Sequence, residues 1–456
     1  MVKYIGAVAL MLFMASCTSP SEQTNSETSD SNKILPYPIQ QKMLANGLNV
    51  VVVEYPSPDL ASFQIIMRVG SRDEVEAGKT GFAHFFEHMM FRGTDNYSSD
   101  EYSEVLKSIG AAANANTWLD RTVYLMTGNA RMLDKMMEVE SDRFMNLNYS
   151  VHDFKTEAGA VKGEYTKNNA SPYAKLNEKT AEVAFTEHTY GHTTMGYWDD
   201  VVDMPNQYDY SLRFFDQFYR PEYATILVVG DVKFDEVYKL ADEYFGKWEK
   251  GNFKSDIPVE PEQNETRYAH VELPGFPPYL ELNYTAPAFN DTAMDVAALD
   301  IISTIIFSER SDLYKKLVLN EQKVRYINGG YFFTRDPYLY SISASVVNEG
   351  DMQYVKDEVD KVLEKIKTEP IDEDLLEETK SKLKYSASMG MDSPSSIADD
   401  LTYFIWISGD PESLNKIYAS YDKVSQEDIM AAAKKYFVPT HLTISTISSQ
   451  KEGGLN

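Results

Sequence analysis

The chain contains a single cysteine, Cys17, so no intramolecular disulfide can contribute to its stability. Basic residues are also in short supply. Lys and Arg number 43 against 70 Asp and Glu, for a formal net charge of −27. That balance argues against nucleic acid as a partner, because phosphate binding needs basic stripes. A cationic peptide is compatible with it, although acidity also serves solubility. Histidine is scarce, with seven in 456 residues. One marked apolar run, Ile5 to Met14, opens the chain and is too short to span a bilayer as a mature helix. The remainder, 43% hydrophobic and 25% charged over the whole chain, is globular in character and too long for one ordinary core.

The N-terminal run follows Lys3 and leads through Ala15 and Ser16 to Cys17. This pattern resembles a bacterial lipoprotein signal, which implies cleavage before Cys17 and a lipid on its sulfur. An ordinary signal peptide with an incidental cysteine is the alternative. We therefore expect a signal peptide over 1–16 and a flexible polar tether over 17–36. The mature protein is expected in the bacterial cell envelope, periplasmic or at the outer membrane, meeting the membrane only through its anchor.

Two of the seven histidines stand in His84-Phe-Phe-Glu87-His88. On a helix, positions i, i+3 and i+4 share a face, so both imidazoles and the carboxylate can meet at one point. That set suits a catalytic metal, with neutral imidazoles as ligands and the carboxylate acting on water. Phe85, Phe86, Met89, Met90 and Phe91 mark the same helix as heavily buried. Burying His84 and His88 without partners would cost several kcal/mol, so something must satisfy them. A hydrogen-bonded structural cluster is the bland alternative to a metal. A catalytic site needs a third protein ligand and one open position. Glu164, on a later helix over about 152–169, is the choice. Glu157, seven residues earlier on the same face, could steady a ligand histidine. His152, His188 and His192 compete with Glu164, and spacing alone excludes none of them. A mixed imidazole and carboxylate set suits Zn²⁺, one per chain, without ruling out other divalent metals.

The strand and helix pattern runs through the chain twice. Leu48 to Val53 and Ser62 to Val69 read as strands ahead of the motif helix, which starts near Phe82. Ala269 to Leu273 and Tyr279 to Thr285 parallel that pair in the second half, and the helical run Met294 to Phe307 takes the motif helix's place. Gly251 to Glu265 is polar and carries prolines, as a linker would. The expected division is a metal-bearing domain over 37–250, a linker over 251–265, a second homologous domain over 266–449 and a tail over 450–456. Strands and helices mix without regular βαβ alternation, which predicts an α+β fold of two sandwich domains, each an antiparallel-rich sheet with helices packed on it. No histidine lies between His270 and His441, so the second half has no such metal site of its own.

These motifs resemble the pitrilysin/insulinase family of metallopeptidases, which also includes the mitochondrial processing peptidases. That family is marked by His-x-x-Glu-His with a ligand glutamate about seventy-six residues later, at the end of Glu-x6-Glu. Here His88 and Glu164 are 76 positions apart, and Glu157 heads Glu-Ala-Gly-Ala-Val-Lys-Gly-Glu164. Asn46-Gly47-Leu48, Gly70-Ser71-Arg-Asp-Glu74, Phe91-Arg-Gly-Thr94 and Arg220-Pro221 fall where the family has them. The resemblance implies two related domains facing each other as a clamshell and a zinc-dependent endopeptidase acting on peptides or unfolded segments. It implies Glu87 as the general base that activates the attacking water. It also implies that Asn114 and Ala115, with Asn116, lie on an edge strand that pairs with substrate backbone. A turn is the alternative for the two asparagines.

One departure stands out. The family's second domain carries an Arg and, seven residues on, a Tyr that bind substrate and steady the developing oxyanion. Those places hold Val318 and Arg325 here, with Tyr326 one residue off. Short members of the family can work as two chains, one with the metal and the other with the Arg/Tyr pair. The expected partners are therefore such a related chain, or a second copy of this one, besides the peptide substrate. The competing reading is a non-catalytic scaffold or partner subunit of a peptidase-like complex.

Overall fold

The computed structural model describes residues 33–451 and 453–455. The signal segment, Cys17 and the tether as far as residue 32 lie outside the described residues. Among the described residues no helix is long and apolar enough to cross a membrane. Packing begins slightly ahead of Tyr37, because Ile34 and Leu35 are already buried.

The first sheet is built from β1 (Ile39–Met43), β2 (Asn49–Glu54), β3 (Leu60–Met67), β4 (Ala112–Thr117), β5 (Thr122–Asn129) and β6 (Ala224–Gly230), in the order β1-β2-β6-β3-β5-β4. The second holds β7 (Arg267–Glu272), β8 (Tyr279–Ala286), β9 (Val324–Tyr331), β10 (Tyr338–Val346) and β11 (Leu442–Ser448), in the order β7-β11-β8-β10-β9. Once β1 is set aside the two orders are the same. Each sheet has one parallel pair, β2 with β6 and β7 with β11, and is otherwise antiparallel. The chain is thus a two-domain α+β protein whose second half repeats the first.

Eight helices accompany the first sheet: α1 (Phe82–Met89), α2 (Ser99–Ile109), α3 (Leu133–Asn146), α4 (Val151–Asn168), α5 (Pro172–Ala184), α6 (Trp198–Asp203), α7 (Tyr208–Phe218) and α8 (Phe234–Phe245). The second half carries α9 (Met294–Phe307), α10 (Asp312–Tyr314, continued by a π-helical stretch to Asn320), α11 (Met352–Thr368), α12 (Glu373–Gly390), α13 (Pro394–Ser408), α14 (Ser413–Tyr421) and α15 (Gln426–Tyr436). Serines at 98, 150, 393 and 425 each accept the third backbone N–H of the helix they precede, which fixes where α2, α4, α13 and α15 start.

The central strands β2 and β6 are apolar on both faces, and the packing explains why. Val50, Val52, Ile226 and Val228 point into the core under the first half's own helices. Val51, Val53, Leu227 and Val229 alternate to the opposite face and join a core that includes Ile397, Leu401 and Ile405 of α13. Helices are therefore exchanged between the halves: α13 of the second lies on β3 and β6 of the first, and α5 of the first lies on β7 and β11 of the second. Polar bonds secure the crossing. Gln64 donates to Asp399 at 2.8 Å and accepts from Thr402 at 2.6 Å, and Arg68 Nε donates to the Trp406 carbonyl at 2.9 Å.

A charged cluster closes the junction. Asp336, in the turn after β9, receives Arg72 Nε at 2.5 Å and His188 Nε2 at 3.1 Å. Asp120, almost fully buried, accepts from the Tyr190 hydroxyl at 2.7 Å and the Arg335 backbone N–H at 3.0 Å. The stretch 249–266 contains no helix or strand, but it is tied down. Its Glu260 carboxylate accepts the backbone N–H groups of Thr186, Glu187 and His188 at 2.9 to 3.0 Å.

Burial alone would raise the Asp336 pKa, but the hydrogen bonds from His188 and Arg72 and the Arg72 charge carry it well below its ordinary 3.8. A carboxylate with a lowered folded pKa contributes stability that is present above its ordinary value and lost as pH falls below it. We therefore expect Asp336→Asn to lower the melting temperature by a few degrees at pH 7. Thermal scans should show that difference shrinking as the pH is taken from about 4 toward 2. A difference independent of pH would refute this account of the junction.

Candidate metal centre

The motif helix α1 is held from both ends. Gly81, immediately before it, has φ +90°, and a side chain there would come within 2.9 Å of the Met195 carbonyl. Glu74 lies buried under the first turn and accepts from Gly81 N at 2.8 Å and Ala83 N at 2.6 Å, filling two of the orphan donors of a helix start. Burial pushes its carboxyl up to about 8 against those two bonds. At the far end Glu157, from α4, reaches the ring of His88. Phe82, Phe85, Phe86 and Met89 fill the core around Phe154 and Phe214, so only the face carrying His84, Glu87 and His88 is turned out.

On that face His84 Nε2 lies 3.7 Å and His88 Nε2 3.4 Å from Glu164 Oε2. Ligand atoms about 2.0–2.1 Å from a tetrahedral ion stand roughly 3.3 Å apart, so the spacing fits a shared cation. Among the described residues this is the one set of three His, Cys, Asp or Glu side chains able to share an ion. His84 supplies a second indication of fit. Its Nδ1 is buried without a partner, and its Nε2 is beyond hydrogen-bonding distance of Glu164. Nε2 is the nitrogen turned toward Glu164 and makes no hydrogen bond, so its lone pair is free for a cation, while Nδ1 stays without a partner. Burial, helped by the neighbouring His88, lowers the His84 pKa and keeps the ring neutral, as a ligand must be.

His88 is oriented by its other nitrogen. Nδ1 lies 2.8 Å from Glu157 Oε1, and a carboxylate can only accept there, so the proton sits on Nδ1 and Nε2 is the nitrogen turned to Glu164, its lone pair free when the ring is neutral. That hydrogen bond raises the His88 pKa, with burial opposing it. Burial likewise works to raise Glu157, but the His88 bond and the Arg92 guanidinium on its second oxygen bring it below its ordinary value. Arg92, Glu74 and Thr117 were not among the site residues read from the motif. Thr117 Oγ1 donates to Glu87 Oε2 at 2.6 Å and fixes that carboxylate beside the histidines.

The competing histidines lie elsewhere. His152 is exposed in the first turn of α4. His188 bonds Asp336 through Nε2 and accepts the Tyr190 N–H at Nδ1, 3.0 Å. His192 Nδ1 faces the Thr193 carbonyl at 3.0 Å. Asn114, Ala115 and Asn116 lie on β4, a strand and not a turn, and β4 is the outer edge of the first sheet, paired only with β5. Arg121 Nη1 donates to the Asn116 carbonyl at 2.9 Å and steadies the end of that strand next to Thr117. In the second half Val318 packs against its own core, and Arg325 Nη1 is spent on the Val346 carbonyl at 3.0 Å.

A repeated α+β domain, with a histidine and glutamate cluster in the first copy beside a free strand edge, defines the class: a two-domain, M16-type peptidase fold. Comparison with known proteins agrees. The profile described as Insulinase (Peptidase family M16) matches residues 49–197, and that described as Peptidase M16 inactive domain matches residues 207–383. The chain belongs to the insulinase, or M16, family of peptidases. It is 27% identical over 412 residues to the zinc protease PqqE of Helicobacter pylori, across 88% of this chain and 90% of that protein. It superposes on the crystal structure of a protease from Helicobacter pylori with a TM-score of 0.83 at 26% identity, over 90% of this chain and 99% of the other. A structure described as a peptidase M16 inactive domain from Pseudomonas fluorescens shares the fold at TM-score 0.81 and 15% identity, covering 91% of this chain and 98% of that one.

If Glu157 orients His88, Glu157→Gln should weaken zinc binding by roughly 10–100-fold while leaving the fold intact, as measured by competition with a chromophoric chelator. An unchanged affinity would show that Glu157 serves only packing.

Proposed function

We propose that the chain is a zinc-dependent endopeptidase that cleaves peptides or unfolded polypeptide segments. The observation that carries this reading is the junction at Thr117. It ends the edge strand β4 and also donates the hydrogen bond that fixes Glu87 beside His84, His88 and Glu164. The strand's outer edge, along Asn114 and Ala115, faces no other strand, and at its end the Asn116 carbonyl is taken by Arg121. A substrate added there as a further strand would be held by its main chain, with little regard to sequence. Such pairing runs the peptide past Glu87.

His84, His88 and Glu164 would hold zinc, which supplies a Lewis acid and lowers the pKa of water. Glu87 takes the proton of the attacking water and returns it to the leaving amine, the general base and acid of one reaction. Thr117 keeps its carboxylate aimed, and Glu157 keeps the His88 lone pair turned toward the metal side. The decisive experiment is Glu87→Gln, which should retain zinc on metal analysis and lose hydrolysis of an unstructured peptide by at least 10²-fold. Hydrolysis at the original rate would refute the mechanism.

A second chain completes the proposal. With Val318 packed against the core at the family's Arg place and Arg325, at its Tyr place, bonded to the Val346 carbonyl, the second half lacks the family's Arg and Tyr at their positions. Such donors are worth about 3–4 kcal/mol of transition-state stabilisation. We infer that this chain is the metal-bearing half of a two-chain enzyme, its partner a related chain with the Arg/Tyr pair. Adding that partner to the purified chain should raise kcat by 10²-fold or more. Full activity of the chain alone, unchanged by the partner, would rule the pairing out.

A further inference from the structure

The register of β4 decides which backbone groups reach the free edge of the first sheet. Thr117 stands opposite Thr122, Asn116 opposite Val123 and Ala115 opposite Tyr124. Trp118 N donates to the Arg121 carbonyl at 2.8 Å and closes the hairpin as a bonded pair. Bonded and non-bonded pairs alternate along an antiparallel ladder, so Asn116 turns its backbone groups toward Val123. Ala115 and Thr117 turn theirs outward, to the side that carries no strand. Thr117 therefore has two roles, because its hydroxyl also donates to Glu87 Oε2 at 2.6 Å. The open edge and the Glu87 carboxylate meet at one residue.

Arg121 holds the neighbour of that residue. Its Nη1 donates to the Asn116 carbonyl at 2.9 Å and also reaches the Asn116 side-chain oxygen, so Asn116 is gripped at two points. Arg121 makes no ion pair among the described residues, and its Nε is buried and donates to nothing. Burial brings the guanidinium pKa down to about 10, against the pull of Glu87 first and then of Asp399 and Tyr403 on α13. A buried cation without a close counter-ion is costly, and the hairpin is already closed by the Trp118 bond. Costs of this kind gather at functional sites.

We propose that Arg121 is a positioning residue of the peptidase reaction, locking Asn116 so that Thr117 keeps substrate backbone and Glu87 in one register. The inference rests on the peptidase reading and adds to it what selects the bond that is cut. A peptide held by its main chain along Ala115 and Thr117 presents one carbonyl opposite Glu87 only while Thr117 is fixed. With Thr117 free to move, neighbouring carbonyls come within reach of the same carboxylate.

The test follows one unstructured dodecapeptide by mass spectrometry of its products, with the zinc-loaded full chain in excess. Arg121→Met keeps the stem and removes the donors. It should lower kcat roughly 10- to 100-fold with KM little changed, and spread the cuts to bonds beside the original one. Arg121→Gln, which keeps one donor for Asn116, should show a narrower spread and serves if the methionine variant does not fold. Hydrogen exchange across 112–118 should quicken in whichever variant is used, a readout that needs no activity. Cuts confined to the original bond, or exchange at the original rate, overturn the inference alone. No cleavage by the unsubstituted chain beyond that of the zinc-free chain overturns the peptidase reading, and the inference with it.

Discussion

The burial of α1 is the constraint on which the rest depends. Eight residues cannot hold a helix by themselves, since isolated helices of that length are marginal in water. This one is held by Phe82, Phe85, Phe86 and Met89 packed into the core, by Glu74 at its start and by α4 along its side. With so much of its circumference committed, the helix can be rotated in one way only. His84, Glu87 and His88 are what remains on the open side. Precision at the candidate metal centre is therefore a consequence of packing, and Glu157 and Thr117 refine an orientation the core has already set.

The exchange of helices between the halves has a comparable consequence at larger scale. Because α13 covers the first sheet and α5 covers the second, neither half presents a complete core without the other. The exchange also frees part of the second sheet's inner face from core duty. Glu281, Asn328 and Ser341 face a cavity there, which Asn177 and Ala181 of α5 line from the other side. The bonds of Asp336 and Glu260 tie the second half and the connecting stretch to the first half at the junction.

Much of this was legible in the sequence, for physical reasons. The histidine and glutamate spacing on α1, and the seven-residue step from Glu157 to Glu164 on α4, are periodicities of a single helix. The structure brings His84, His88 and Glu164 together as that spacing suggests. The Met294–Phe307 helix is likewise a local signal. What escaped was non-local. Glu74 reads as one more charge in a loop, Thr117 as the end of a strand, and Arg72 and Asp336 lie 264 positions apart with no pattern to join them. The crossing of α5 and α13 leaves only one trace, the doubly apolar β2 and β6. Strand β9 was missed because Asn328, Gly329 and Gly330 are poor strand formers whose pairing to β10 is decided by the sheet.

The repeat offers its own comparison for the metal site. Helix α9 follows β8 as α1 follows β3, and it too is packed into a core, through Ala297, Leu299, Ile301 and Ile302. Two of its polar groups that face the protein are closed off from inside: Asp300 by the Tyr421 hydroxyl at 2.6 Å and Ser303 by the Tyr340 hydroxyl at 2.9 Å. Burial raises the Asp300 pKa, and the protein answers with a donor. On α1 the corresponding accounts are left open. His84 has no hydrogen bond, and Glu164 stands near two imidazoles without closing on either. One fold, used twice, shows both outcomes: a polar group satisfied from inside where structure alone is required, and a convergent set left unsatisfied where a cation fits. Among the described residues, only the first half brings three such groups together.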